Sequence, residues 1–220
     1  MYRIRPIAAV GTDSSASTRA ALIAAATPLF ASDGYEATRT RDIADKAKAN
    51  VAAINYHFGS KMGLYQAVMK AQADRMIEEF PLATDALSSA APEERLHWLV
   101  RNLLRRVLVT QGGNQPTRMC VREFVEPTEA LDYMVKEIVS HQFAIMKQVV
   151  GDVLGRKADD DELNLVAESV ISQCFHYGMA EPMLTRLGVK IPRTDEEIDA
   201  LAVHITRFSL AGIAAVRVPA

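Results

Sequence analysis

Asn55, Tyr56 and His57 stand side by side near the end of the segment NVAAINYHFGSK, residues 50–61. Their chemistry suits a nucleic acid. An amide carries a donor and an acceptor together, the pattern that reads base edges, while a phenol and an imidazole reach phosphate oxygens. The residues ahead of them, Val51, Ala52 and Ala53, are small, so a helix starting here can come close to the floor of a groove ~12 Å wide. Ile54 and Phe58, four apart, are placed to anchor the same helix in a core.

Other reactive residue types form no catalytic constellation. Cys174 and His176 have the types of a nucleophile and its base, but two residues apart on a helix they point in different directions. Asp159, Asp160 and Asp161 precede Leu163 and read as a cap and first-turn acids rather than metal ligands. His97, His141 and His204 lack a second ligand at helix-face spacing. Gly151 and Gly155 form a GxxxG among Lys147, Asp152 and Arg156, which excludes a membrane helix there. There is no phosphate-loop or dinucleotide fingerprint. No catalytic residue, metal or cofactor is therefore expected, and the chain is not read as an enzyme. Polar groups inside apolar helical runs mark a candidate ligand pocket: Arg122 and Glu123 in MCVREFVEP, and Gln173, His176 and Tyr177 in ISQCFHYG. Met119, Phe143 and Met146 are candidate lining. An internal ion pair or an exposed face accounts for the same residues.

The elements that must position these residues are all helical. Residues 1–16 mix Pro6, Gly11 and a Ser/Thr cluster and read as a disordered arm. Apolar residues recur at helical spacing from Ser17 to Asp33, Gly34 supplies a stop, and Pro28 predicts a kink in the turn before it. A short helix follows at Thr40–Ala47, and a third runs from about Val51 to Phe58 behind Asn50 as N-cap. Ser60 caps a fourth. Pro92 opens a helix with Leu96, Leu99, Val100, Leu103, Leu104 and Val107 on its buried face. GGNQPT at 112–117 breaks it, and further helices are expected over 128–154, 159–187 and 195–217. Neither β alternation nor an internal repeat is evident.

Composition sets the class. Of 220 residues 49% are apolar and 24% charged, an ordinary globular balance with enough chain to bury a core. The two cysteines, Cys120 and Cys174, suggest neither a disulfide framework nor a cysteine zinc site, which implies a reducing compartment. No apolar run approaches the ~20 residues that span a bilayer and the amino end has no hydrophobic signal core, so a cytoplasmic protein without a membrane partner is expected. The net charge of −2 is uneven: residues 1–61 hold eight basic and five acidic side chains, +3, leaving −5 for the remainder. A basic head on an acidic body suits a polyanion held at one end.

The stretch TRAALIAAATPLFASDGYEATRTRDIADKAKANVAAINYHFGSKMGLYQAV resembles the DNA-binding head of the TetR family of bacterial repressors. Its most specific parts are Phe30 with Gly34-Tyr35, Thr40-Arg41-Asp42-Ile43-Ala44, and Ile54-Asn55-Tyr56-His57-Phe58 followed by Ser60-Lys61. The resemblance implies a helix-turn-helix head over 17–63 and a ligand-binding and dimerisation body over 64–217. It implies that Thr40 and Arg41 contact backbone or a groove edge and that Ala52, Ala53, Asn55, Tyr56 and His57 lie on the recognition helix. Lys61, at a helix N-terminus, is expected to hold phosphate. Base specificity should rest on Arg41, Ala53 and Asn55. Two positions depart from the pattern. Lys48 stands where a turn glycine is usual, and Gly63 where a capping-box glutamate would help Ser60.

REFVEPT with SQCFHYG downstream resembles the C-terminal half of a CecR-like subgroup. The resemblance further implies double-stranded operator DNA as partner, an apolar or aromatic small-molecule inducer, and a homodimer through 159–187 and 195–217. Apolar stripes at Leu163, Val166, Val170, Ile171 and Cys174, and at Ile198, Leu201, Ala202, Ile205, Phe208, Gly212 and Val216, suit such a dimer, although each serves equally as intramolecular core. A repressor released by its inducer is the reading. The alternative is a helical interaction or scaffold protein that keeps the head without binding an operator.

Overall fold

A computed structural model of the chain describes residues 12–108 and 115–216. The described residues are all-α, without a strand, and the chain divides into two compact units after Ala71.

In the first unit, α1 (Thr12–Ala37) begins within the stretch expected as an arm, whose residues 1–11 lie outside the described residues. The dihedral break in α1 sits at Gly34 (φ 81°, ψ 177°), not in the turn before Pro28. A positive φ is the conformation glycine adopts without cost, so the stop falls where the chain can turn. Thr38 then donates from Oγ1 to the Gly34 carbonyl at 2.6 Å, satisfying an acceptor that the helix end leaves open. Phe30, Tyr35 and Tyr65 meet in a ring cluster with centroids 4.8–6.4 Å apart. Ile43, Ala44, Ile54 and Leu64 complete this core.

α2 (Thr40–Ala47) ends in a left-handed residue, Lys48 (φ 53°, ψ 38°). Lys48 N donates to Asp45 O and Ala49 N to Ala44 O, at 3.1 and 2.9 Å. This is the double carbonyl closure that usually places glycine where Lys48 stands. The turn therefore forms as it would with glycine, at the steric cost of a Cβ in left-handed backbone. α3 (Ala52–Phe58) is capped as expected, because Asn50 Oδ1 accepts from Ala52 N at 2.8 Å.

α4 (Lys61–Glu79) starts under Ser60, whose Oγ accepts from Gly63 N at 3.0 Å. A Cβ at Gly63 would lie 2.0 Å from the Phe58 carbonyl oxygen. No glutamate could complete the capping box there, and glycine is what lets α3 and α4 approach so closely.

The second unit holds a 3₁₀ turn (Asp85–Leu87), α5 (Pro92–Leu108), α6 (Gln115–Val125), α7 (Glu129–Met134), a π-helical segment (Val135–Val139), α8 (Ser140–Leu154), α9 (Asp160–Met179), α10 (Glu181–Arg186) and α11 (Asp195–Val216). All six apolar positions expected on the inner face of α5 are buried. Leu96, Leu99, Val100, Leu103 and Leu104 pack with Met146, Val149 and Val150 of α8, Val170 and Cys174 of α9, and Ile198, Ala202 and Ile205 of α11. Much of the two stripes thus faces the chain's own core.

The helix expected over 159–187 is two helices meeting at Ala180. Pro182, at the start of α10, has no N–H for a continuing helix and its ring would clash with the preceding turn. Asp159 caps α9 by accepting from Glu162 N at 2.8 Å. Gly155 ends α8 in left-handed geometry (φ 63°), which is its role within the GxxxG. Arg101 clamps Asp199 of α11 through Nε and Nη2, at 2.5 and 2.9 Å. Contrary to expectation, α11 is long and apolar enough by length and composition to cross a membrane, the single such helix among the described residues. Its Ile198, Ala202, Ile205 and Ile213 are buried in the core.

Candidate nucleic-acid interface and body cavity

α3 divides its surface by residue type. Ile54 is buried, while Ala52, Asn55 and Tyr56 are exposed, Tyr56 to 81%. The cap at Asn50 fixes where the helix begins, and so which residues occupy its outer face. Ala53 and His57 are half-buried, with the His57 ring edge-on to Tyr56 at 4.9 Å. Thr40 is half-buried and Arg41 exposed at the first turn of α2. Phe58 is only half-buried, not a full core anchor, and the Arg19 guanidinium covers its ring at 5.2 Å. Sequence reasoning missed Arg19, since nothing in the spacing joins α1 to the end of α3.

Lys61 has a local partner. Its Nζ donates to the Glu36 carbonyl at 3.2 Å and lies 4.4 Å from the centre of the Tyr35 ring. An ammonium carries three donors, so one carbonyl and one ring face leave capacity for a further acceptor.

In the second unit a cavity of about 780 Å³ opens between α5, α8 and α9. Of the sequence candidates it gathers Phe143, Met146 and His176. Met119, Arg122, Glu123, Gln173 and Tyr177 are not on its wall. Glu123 is 1% exposed and accepts from Thr128 N and Oγ1 at 3.0–3.1 Å, fastening the turn into α7. Gln173 Nε2 donates to Ser209 Oγ at 3.2 Å, tying α9 to α11. Met119 is buried.

The α9 wall consists of two helical ridges, Ile171-Phe175-Met179 and Glu168-Ser172-His176, each at i, i+4, i+8. That spacing was a usable signal. Starting from His176, it selects Ser172 and Glu168 and leaves out Tyr177. Gln142 adds a polar group from α8, and its Oε1 accepts from Arg106 Nη1 at 2.8 Å. Arg106 Nε donates to the Phe80 carbonyl at 2.9 Å, and burial lowers the guanidinium pKa to about 10.

Neither cysteine is poised as a nucleophile. Burial pushes the Cys174 thiol up to about 12 and, with the Glu123 charge adding to it, the Cys120 thiol up to about 11. His176 lies on the cavity side of α9, while Cys174 faces the core and donates to the Val170 carbonyl.

Comparison with known proteins decides the lineage. Residues 22–68 match the model of bacterial regulatory proteins of the tetR family, and residues 92–213 that of the C-terminal domain of the HTH-type transcriptional dual regulator CecR. The chain belongs to the TetR family. Over 176 residues it is 31% identical to the HTH-type transcriptional dual regulator CecR of Shigella flexneri, covering 76% of this chain and 78% of that protein. Among solved structures, FadR from Bacillus subtilis in complex with stearoyl-CoA matches with a TM-score of 0.67 at 17% identity, over 88% of this chain and 98% of that one. A TetR-like regulator from Rhodococcus sp. RHA1 matches at 0.63 and 16% identity, over 94% and 100%. These two share the fold. As a TetR-family member with a CecR-type body, the chain is a DNA-binding transcriptional regulator and not an enzyme.

Proposed function

We propose that the chain represses transcription as a homodimer whose two heads occupy successive major grooves of a pseudo-palindromic operator, and that an apolar small molecule in the body releases it. One observation carries the reading: α3 buries Ile54 and turns Asn55 and Tyr56 outward, in a stretch that matches the family's head. A tyrosine left 81% exposed beside an exposed amide is not held by burial in the head's core. In this assignment Asn55, Ala52, Ala53 and Arg41 meet base edges, while Thr40, Tyr56, His57 and Lys61 meet phosphates.

Two further features support the rest. The cavity has the size of a small-molecule site and mostly apolar walls, and the structure of FadR with stearoyl-CoA supports an apolar effector for a body of this fold. Leu165 (71% exposed), Val203, Phe208 (65%) and Val216 leave apolar surface on α9 and α11, which favours the expected dimer. Effector binding then favours a state whose heads no longer fit successive grooves, and by linkage the operator weakens effector binding by the same factor.

The test is gel retardation of a DNA fragment from the gene's own promoter, with a metabolite panel. Salt-sensitive, sequence-selective retention that one panel member abolishes is the expected result. A protein that retains neither the promoter nor any control fragment is the scaffold of the alternative reading.

A further inference from the structure

Arg106 presents an unusual electrostatic problem. It is 8% exposed, and among the described residues no carboxylate pairs with it; its acceptors are the neutral Phe80 carbonyl and Gln142 Oε1. A buried charge is ordinarily paired, because neutral acceptors replace its hydration only in part. The unpaired positive charge lies directly behind a residue of the cavity wall.

Gln142 transmits it. Its amide cannot flip, since turning Nε2 toward Arg106 would set donor against donor. With Oε1 so engaged, Nε2 and its two N–H groups make no hydrogen bond among the described residues. The arginine therefore orients a free donor pair at the wall and polarises it. We propose that the cavity takes an apolar monocarboxylic acid, its carboxylate accepting from Gln142 Nε2 and its chain lying against Phe143, Met146 and Phe175.

The opposing charge is Glu168, also on the wall. It is exposed to solvent and accepts from Ser172 Oγ at 3.1 Å. Water screens an exposed charge more than a buried one, so Glu168 offsets the Arg106 charge only in part. Arg106 acts here as a positioning residue through Gln142.

This inference rests on the cavity's being the effector site, and calorimetric titration without DNA separates the two. The full-length protein is titrated with dodecanoate, dodecanol and dodecyltrimethylammonium, each below its micelle concentration. Dodecanoate should bind at least about tenfold tighter than either, as expected for a hydrogen bond to a charged group. Gln142→Glu pairs with Arg106 and places a negative charge at the wall. It should weaken dodecanoate by about tenfold or more while affecting dodecanol far less, and should raise the melting temperature of the free protein, which a lost structural contact would not do. Gln142→Leu should remove most of the preference for the acid. Tighter binding of the alcohol or the cation would overturn the carboxylate assignment and leave the cavity as effector site. Failure of all three to bind would overturn both.

Discussion

Single residues carry the sharpest consequences. Asn55 is exposed on the outer face of α3, so Asn55→Ala should cost about 1–3 kcal/mol of operator binding and relax the preference at one base pair. Binding isotherms on the operator and its single-base variants would measure this. Lys48 keeps α2 closed despite its Cβ, so Lys48→Gly should stabilise the full chain by about 1 kcal/mol in calorimetry. Gly63 is the converse case. An alanine methyl there would meet the Phe58 carbonyl oxygen at 2.0 Å, so Gly63→Ala should destabilise by about 1–3 kcal/mol and weaken operator binding by shifting α3. The conflict at Lys48 was legible as a glycine position filled by lysine. The need for glycine at 63 was not, because it arises from a backbone approach between helices that no residue type announces.

At the scale of elements, the start of α11 is fastened by a reciprocal cap. Thr194 Oγ1 accepts from Glu197 N, and Glu197 Oε2 accepts from Thr194 N, both at 3.3 Å, and from Arg193 N at 2.8 Å. The Lys190 ammonium at 2.5 Å, with these N–H groups, holds the Glu197 carboxyl down at about 2. A carboxylate whose folded pKa lies below its unfolded value stabilises the fold above the unfolded value, and the contribution fades as pH falls toward the folded one. Glu197→Gln should therefore lower the melting temperature at neutral pH. Thermal scans should show that gap closing between about pH 4.5 and about pH 2. Helix positions were legible wherever apolar spacing was regular, as in α2, α3 and α5. They failed where Pro182 split the expected 159–187 helix; in α1 the stop at Gly34 was legible, but the kink expected before Pro28 is not there. Of the cavity, the sequence reading found Phe143, Met146 and His176 but not Gln142 and Arg106, whose pairing spans α5 and α8.

For the whole molecule, the proposed function requires two chains, because one head spans only a half-site. In the proposed dimer the apolar surface left on α9 and α11 makes the contact, so Leu165→Glu with Phe208→Glu should yield a monomer in sedimentation and lose most operator affinity. The decisive measurement is the operator affinity of the wild-type dimer and of an Asn55→Ala, Tyr56→Ala variant, followed by fluorescence anisotropy against salt on operator and scrambled DNA. With α3 in the groove, wild-type affinity falls with a log–log slope of about −0.9 per neutralised phosphate and favours the operator. The variant, folded as judged by its melting temperature, should bind both DNAs alike and weakly. A variant that keeps the full preference for the operator would contradict the placement of α3 against the bases.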